Sequence, residues 1–510
     1  MDVRALRRRR KGGTAVALAM AVAVALPASA LGDHGFPNPA PYVQLEPAAG
    51  AGQVVPLINS GDQYAGVTFE GIPDGIGAVP GDGTVDLYVA HEQSHVPFSG
   101  FADFQDSSVS RVTVDVADKQ VVGLDVALSP DLGFLRFCSA FMAGPEQGFA
   151  DYTFFVNEES NDIVPVPAGA PYGSDPAIAP YRQAGYAAAL STSTGDVTTL
   201  TRMGRHNHEN TVVVPGGWKW TAALSGDDTF SAPSSQLYLH TANDPNQVLS
   251  AKGQLWAFQV TATDDGTIDS YDPFNDANDY LEINPGDTFS GRFIHVPTDV
   301  ARGLTDEAPQ DALENWSNEN NVFQFVRVED VAYDPDDPRT VYFADTGTSR
   351  LAEDPATGRL TRLASGGTTS NGRVFKMVLN QKDPRIVDSL TILLDAGSIG
   401  MRNPDNLDVG HHSLMVQEDT SNAKIWRYDL AARTWTHVAT ATQPTAETSG
   451  IVDVSEWFGT GWWALDVQSH VNESEGAETL TYVVPISGAT QTYRERREDG
   501  QLLLMLIPGS

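Results

Sequence analysis

Three short segments of this chain bring together acidic, imidazole and guanidinium side chains. Gly204-Arg205-His206-Asn207-His208-Glu209-Asn210 sets His208 beside Glu209. Polar residues this dense are costly to bury unless paired or ligated, so the run is either a solvated turn or a place where His208 and Glu209 meet a ligand such as a metal. Arg327-Val328-Glu329-Asp330 follows an apolar run, Val322 to Val326. Arg327 and Glu329 lie two apart and share a face of a strand. A carboxylate for a metal beside an arginine for an anion suits phosphoryl transfer, and the same pair also serves as a structural salt bridge. Asn403-Pro404-Asp405-Asn406-Leu407 leads through His411-His412 to Glu418-Asp419. There Asp405 can offer its oxygens to a cation or cap a turn. The pairs Glu158-Glu159 and Asp227-Asp228 end apolar strands, and in each only one side chain can face a common axis. No Gly-x-Ser-x-Gly elbow, P-loop or His-Glu-x-x-His motif occurs, so serine nucleophilic catalysis has no support.

The elements that must position these groups are strands. Six apolar stretches each stop at an acid: Leu87 to Glu92, Thr153 to Glu159, Thr221 to Asp228, Val341 to Asp345, Leu414 to Asp419 and Trp462 to Asp466. Alternating partner strands and turn signals follow most of them, as in Gln254 to Val260 and Asp264-Asp265-Gly266. The repeat predicts an all-β fold, a β-propeller of about six blades, with the acid-ended stretches as its inner strands. Carboxylates crowded on one axis repel unless they are protonated or hold cations, so the pattern also predicts a multi-metal centre. Residues 162–181 read as a long surface loop, and 305–325 as an insertion carrying a short helix started by Pro309. The Gly/Pro-rich residues 31–80 are expected to wrap the first blade, and 31–510 to form a single domain.

The first thirty residues read as an export signal. Arg4, Arg7 to Arg10 and Lys11 precede the apolar stretch Thr14 to Leu26, and Pro27-Ala28-Ser29-Ala30 supplies a cleavage site. Without that leader of six basic residues and one acid, the formal charge falls from -34 to -39. Such a charge disfavours nucleic acid and anionic membranes as partners, and an anionic substrate would need cations to screen the site. A secreted protein acting as a monomer on a small molecule is the expectation. The lone cysteine, Cys138, forbids an intrachain disulfide. In an oxidising compartment it is either buried and inert or protected by a metal.

Taken in order, these motifs resemble the PhoX-type alkaline phosphatase family. The matching pieces are His91-Glu92, Cys138-Ser139 followed by Glu158-Glu159, Gly204-Arg205-x-x-His208-Glu209-Asn210 and Gly226-Asp227-Asp228. Lys252-Gly253-Gln254-Leu255, Arg327-x-Glu329, Pro404-Asp405-Asn406-Leu407 and Glu418-Asp419 complete the set. The resemblance implies a propeller phosphatase that carries Fe3+ and Ca2+ and hydrolyses phosphate monoesters outside the cytoplasm. It implies Cys138 as a thiolate ligand to iron, with Glu209, Glu329, Asp228 and one of Glu158 or Glu159 as further metal ligands. Asp405 and Asp419 would serve the same centre, Arg327 would contact the substrate phosphate, and His208 would stand beside it. The chain departs from the family after the cysteine. Residues 139–151 replace a glycine-rich turn and a Pro-Trp-Gly-Thr segment, which implies an altered wall of the substrate site. The competing readings are a calcium propeller hydrolase of another ester (a phosphodiester, phytate or lactone) and a non-catalytic extracellular binding propeller.

Overall fold

The computed structural model describes residues 40–96, 101–229, 235–263, 280–304, 308–472 and 479–510; the leader therefore lies outside the described residues. Among them, six antiparallel blades form a β-propeller. From the axis outward, blade 1 is Pro73–Pro80, Thr84–His91, Ser108–Asp115 and Val121–Leu128, and blade 2 is Phe137–Ala143, Thr153–Glu158, Ala187–Ser191 and Val197–Thr199. Blade 3 is His208–Val214, Thr221–Asp227, Leu237–Ala242 and Gln254–Thr263. Blade 4 is Val328–Asp334, Asp337–Asp345, Arg373–Leu379 and Ile386–Asp395, and Thr288–His295 joins the outer edges of blades 3 and 4. Blade 5 is Pro404–Val409, Ser413–Glu418, Lys424–Asp429 and Thr434–Ala441. Blade 6 is Glu447–Asp453, Trp462–Asn472 and Glu498–Leu506, completed on its outside by Gln53–Asn59 from the other end of the chain. The six innermost strands touch their neighbours in a closed ring, from Pro73–Pro80 round to Glu447–Asp453 and back.

The acid-ended stretches lie in the second strand of each blade, not the innermost one, and in blade 6 the strand runs on past Asp466 to Asn472. This corrects the expectation from the sequence. The second strands are covered on both faces by adjacent blades, so they read as near-continuous apolar runs: Thr153–Glu158 and Ser413–Glu418 are buried at every position. Innermost strands open with polar residues and are bulged, which hides their periodicity. Register shifts fall between Pro73 and Ile76, Phe137 and Ala140, His208 and Thr211, Val328 and Val331, and Pro404 and Leu407. A bulge re-aims the side chain it carries, and the second residue of each of these five strands sits within one. Pro73 and Pro404 are tolerated because they begin edge strands, where no ladder donor is required of them.

Residues 31–80 were expected to wrap blade 1. The described part instead supplies Val43–Leu45 on the outside of blade 5, Gln53–Asn59 on the outside of blade 6, and the innermost strand of blade 1. The expected insertion contains the helix Pro309–Glu319. Gln310 of that helix donates to the carbonyls of Ser160 and Ala184, tying it to the loop of blade 2.

Ring closure rests on Leu57 and Ile58, buried with Leu502 and Leu504 between blades 6 and 1. Deleting residues 40–59 should lower the thermal unfolding midpoint by at least about 10 °C. An unchanged midpoint in calorimetry would show that the outer strand does not hold the ring shut.

Candidate metal centre on the propeller axis

The bulges place one reactive side chain per blade at the same end of the axis. Asp74, Cys138, Glu209, Glu329 and Asp405 are each the second residue of an innermost strand, and Glu447 opens the sixth. A second tier comes from the residue just beyond the second strand: Glu92, Glu159, Asp228 and Asp419 in blades 1, 2, 3 and 5. All ten line one cavity of about 570 Å³, together with Arg136, Arg327, Arg362, His470 and Glu498. Gly226 is needed for the approach of two blades. A Cβ there would lie 2.5 Å from the Glu329 carbonyl oxygen and 2.7 Å from that of Val328.

Three overlapping groups have ligand atoms within 4.8 Å of one another: Asp74, Glu92 and Cys138; Cys138, Glu159 and Glu209; Glu209, Glu329 and Asp405. Cys138 joins the first two groups and Glu209 the last two. The thiol of Cys138 points at Asp74 Oδ2, 3.6 Å away. That same oxygen accepts from Ser449 Oγ at 2.6 Å and Gln468 Nε2 at 2.9 Å. Neither oxygen of the buried Glu209 carboxylate accepts a hydrogen bond, nor does Glu329 Oε1 or Asp405 Oδ1.

Burial and mutual repulsion act in one direction. Burial lifts Asp74 to about 6, and burial with the charge of Asp74 lifts Glu92 to about 7. Glu159, Glu209, Glu329, Asp405 and Glu447 are pushed well above the carboxylate range, by burial first and neighbouring carboxylates second. The Cys138 thiol is pushed up by burial and by Asp74 and Glu209. Unpartnered buried oxygens that repel one another are the environment a multivalent cation relieves. The donors fit such ions: carboxylate oxygens suit hard cations, and one thiolate favours a transition metal in the group that contains it.

Arg327 stands over this floor with φ of 63°, a left-handed conformation for a non-glycine residue. Its Nε and Nη2 donate to the two oxygens of Asp228, each at 2.7 Å, and Nη2 lies 3.7 Å from Glu329. His470 bridges Glu447 at 3.4 Å and Glu498 at 3.0 Å. Burial opposes its charge, but these two carboxylates hold its pKa up to about 11.

Of the residues singled out in the sequence, Cys138, Glu159, Glu209, Asp228, Arg327, Glu329, Asp405 and Asp419 come together here. Two do not. Glu158 faces away from the axis into a buried ion pair with Arg182, at 2.5 and 2.8 Å, and accepts from the backbone of Leu135, Gly185 and Tyr186. His208 is buried against His206, its Nδ1 3.0 Å from Ser225 Oγ, on the face of its strand opposite Glu209. It neither lines the cavity nor can meet a substrate there. The expected change in the substrate wall is also corrected: none of residues 139–151 lines this cavity. They run away from it, and Gly144 to Gln147 turn at the far end of the axis.

Sequence reasoning missed Asp74, Glu447, Arg136 and His470. Asp74 had a signal, since Pro73-Asp74 repeats Pro404-Asp405 at the same place in its blade. Glu447 follows Ala446 in a run with no such mark.

A family model described as alkaline phosphatase PhoX matches residues 184–452, more than half of the chain. No curated protein matches. Among solved structures, Pseudomonas fluorescens PhoX in complex with vanadate, a transition state analogue, aligns with a TM-score of 0.58 and 14% identity, over 91% of this chain and 96% of that one. At that identity the likeness concerns the fold. Kuenenia stuttgartiensis hydrazine synthase (TM-score 0.34, 10% identity, 85% and 99% of the two chains) and the GH93 α-L-arabinofuranosidase of Fusarium graminearum (0.37, 8%, 84% and 92%) are too distant to bear on it.

The adjacent acids of blade 2 separate structure from chemistry. Glu158→Gln should destabilise the fold by about 3 kcal/mol, because it leaves Arg182 buried without its counter-charge. Glu159→Gln should leave stability nearly unchanged in the presence of chelator but weaken cation binding at least tenfold. Denaturant unfolding and calorimetric titration with a transition-metal cation would check both, and the opposite assignment would refute the placement of these side chains.

Proposed function

Because the chain belongs to the alkaline phosphatase PhoX family, we propose that its axial cavity is a cation-dependent centre that hydrolyses phosphate monoesters. The observation that carries this reading is Glu209: a buried carboxylate with no donor, shared between a thiol-containing ligand group and an all-carboxylate one. Cys138, Glu159 and Glu209 would hold iron; Glu209, Glu329 and Asp405 would hold calcium, with Asp419 and Asp228 near them. Asp74 and Glu92 extend the ligand set on the other side of Cys138. Bound there, the cations would cancel the negative charge, polarise a phosphoryl oxygen and lower the pKa of a bound water.

The chain's own residues supply orientation and charge. Asp228 holds the guanidinium of Arg327 by two parallel hydrogen bonds, so its plane is fixed before a substrate arrives. A partly exposed arginine beside a Glu329 ligand is suited to the charge that develops on a transferring phosphoryl group. Ser449 and Gln468 orient Asp74 from blade 6. Residues 31–510 act in this reading as a single unit. The leader directs it out of the cytoplasm, where a monomer meets small phosphoesters; among the described residues no helix is long and apolar enough to cross a membrane.

Hydrolysis of p-nitrophenyl phosphate at alkaline pH, by protein supplied with calcium and iron, tests the proposal. Turnover abolished by chelator is expected; absence of turnover in metal-loaded protein would defeat it. Arg327→Ala should keep fold and metal content and lower kcat/KM by about 10²- to 10³-fold, and undiminished activity would remove Arg327 from the mechanism. Cys138→Ser should lose iron while retaining calcium, as read by elemental analysis, and full iron retention would refute thiolate ligation.

A further inference from the structure

Arg327 has a counterpart that the proposed reaction does not use. Arg136 stands two residues before Cys138, as Arg327 stands two before Glu329. Both precede an innermost strand, both are left-handed (φ of 43° and 63°), and both line the axial cavity. The backbone at this point belongs to the repeat. Ile72 and Asn403, the equivalent residues of blades 1 and 5, have φ of 49° and 48°. What differs from blade to blade is the side chain, and among these four only blades 2 and 4 present an arginine.

The two arginines stand near equivalent acids but have different partners and face different parts of the cavity. Each sits beside the second-tier acid of the preceding blade: Asp228 for Arg327, and Glu92 for Arg136, whose charge draws the Glu92 pKa down against its burial. Arg327 turns towards the floor, over Asp228 and Glu329. Arg136 is turned towards other partners. Its Nη2 donates to the carbonyl of Val96 at 3.1 Å and lies 3.7 Å from Asp162, both in loops beyond the strand ends, and Ser94 lines the cavity near it. Blades 2 and 4 flank blade 3, which carries Glu209, the ligand shared by two of the metal groups. A phosphoryl group over Glu209 and Arg327 would therefore direct its ester oxygen, and the alcohol attached to it, towards either side of blade 3. On one side stands a buried guanidinium.

We propose that Arg136 forms a leaving-group subsite that selects phosphate monoesters whose alcohol part carries a second anionic group, a carboxylate or another phosphate. This rests on the phosphatase reading of the same cavity. The physical case is charge and volume. A guanidinium 7% exposed at the cavity wall is a cation to which a second anion can be drawn, and His470 is a further cation acting on the adjacent Glu92. The cavity of about 570 Å³ leaves room beyond a single phosphoryl group.

The test compares Arg136→Asn and Arg136→Lys with the unaltered protein. Asparagine is chosen because Asn403 already occupies the equivalent left-handed position. The substrates are p-nitrophenyl phosphate, whose leaving group has no second charge near its ester oxygen, and 3-phosphoglycerate, whose leaving group bears a carboxylate. Arg136→Asn should raise KM for 3-phosphoglycerate at least tenfold more than KM for p-nitrophenyl phosphate, with kcat for the two changing in parallel, and Arg136→Lys should restore part of the difference. Equal losses on both esters, or no loss on either, would overturn the subsite. Calorimetric binding of 3-phosphoglycerate decides the matter independently of turnover. If metal-loaded protein hydrolyses neither ester, the phosphatase reading fails. The subsite then stands if Arg136→Asn weakens that binding at least tenfold more than it weakens binding of inorganic phosphate, and falls if it does not.

Discussion

The constraint on which the rest depends is the repulsion among carboxylates buried at one end of the axis. Asp74, Glu209, Glu329, Asp405 and Glu447 come from five blades, and their strands cannot move apart without opening the ring. Burial and mutual charge raise their proton affinities together, so the centre must take up protons or cations. A propeller is suited to this, because closure of the sheet array by the outer strand Gln53–Asn59 supplies the rigidity that a self-repelling site requires. The apolar second strands provide the adhesion, and the bulged inner strands provide the aim.

One rule of strand geometry divides the acids between support and chemistry. Neighbours on a strand face opposite ways. In each adjacent pair at the end of a second strand the first acid therefore turns into the blade and the second reaches the axis. Glu158 meets Arg182 and Glu418 accepts from Trp426, both away from the cavity. Glu159 and Asp419, one residue further on, line it. The supporting acid fixes the loop that carries its neighbour, so the chemistry of the centre and the stability of its rim are joined through single peptide units.

The sequence makes the propeller legible because its second strands are apolar and five of the six stop at an acid. It misplaces those strands by one position from the axis. The true inner strands begin with Pro-Asp, Phe-Cys, His-Glu, Val-Glu or Pro-Asp inside bulges, and a bulge breaks the period of two on which strand reading relies. Eight of the ten residues singled out meet at the cavity because their motifs lie at strand ends, where a propeller gathers its loops. His208 fails for a local reason: next to Glu209 on a strand, it has to face the other way. Arg136 is hidden for another, since only the equivalence of blades 2 and 4 distinguishes it from any arginine before a strand.

The most direct test of the central claim is anomalous X-ray scattering from crystals of the protein loaded with calcium and iron. A peak at the iron edge is expected between Cys138, Glu159 and Glu209, and calcium density among Glu209, Glu329 and Asp405. An axis without anomalous density, with these carboxylates instead hydrogen-bonded to one another through protons, would contradict it.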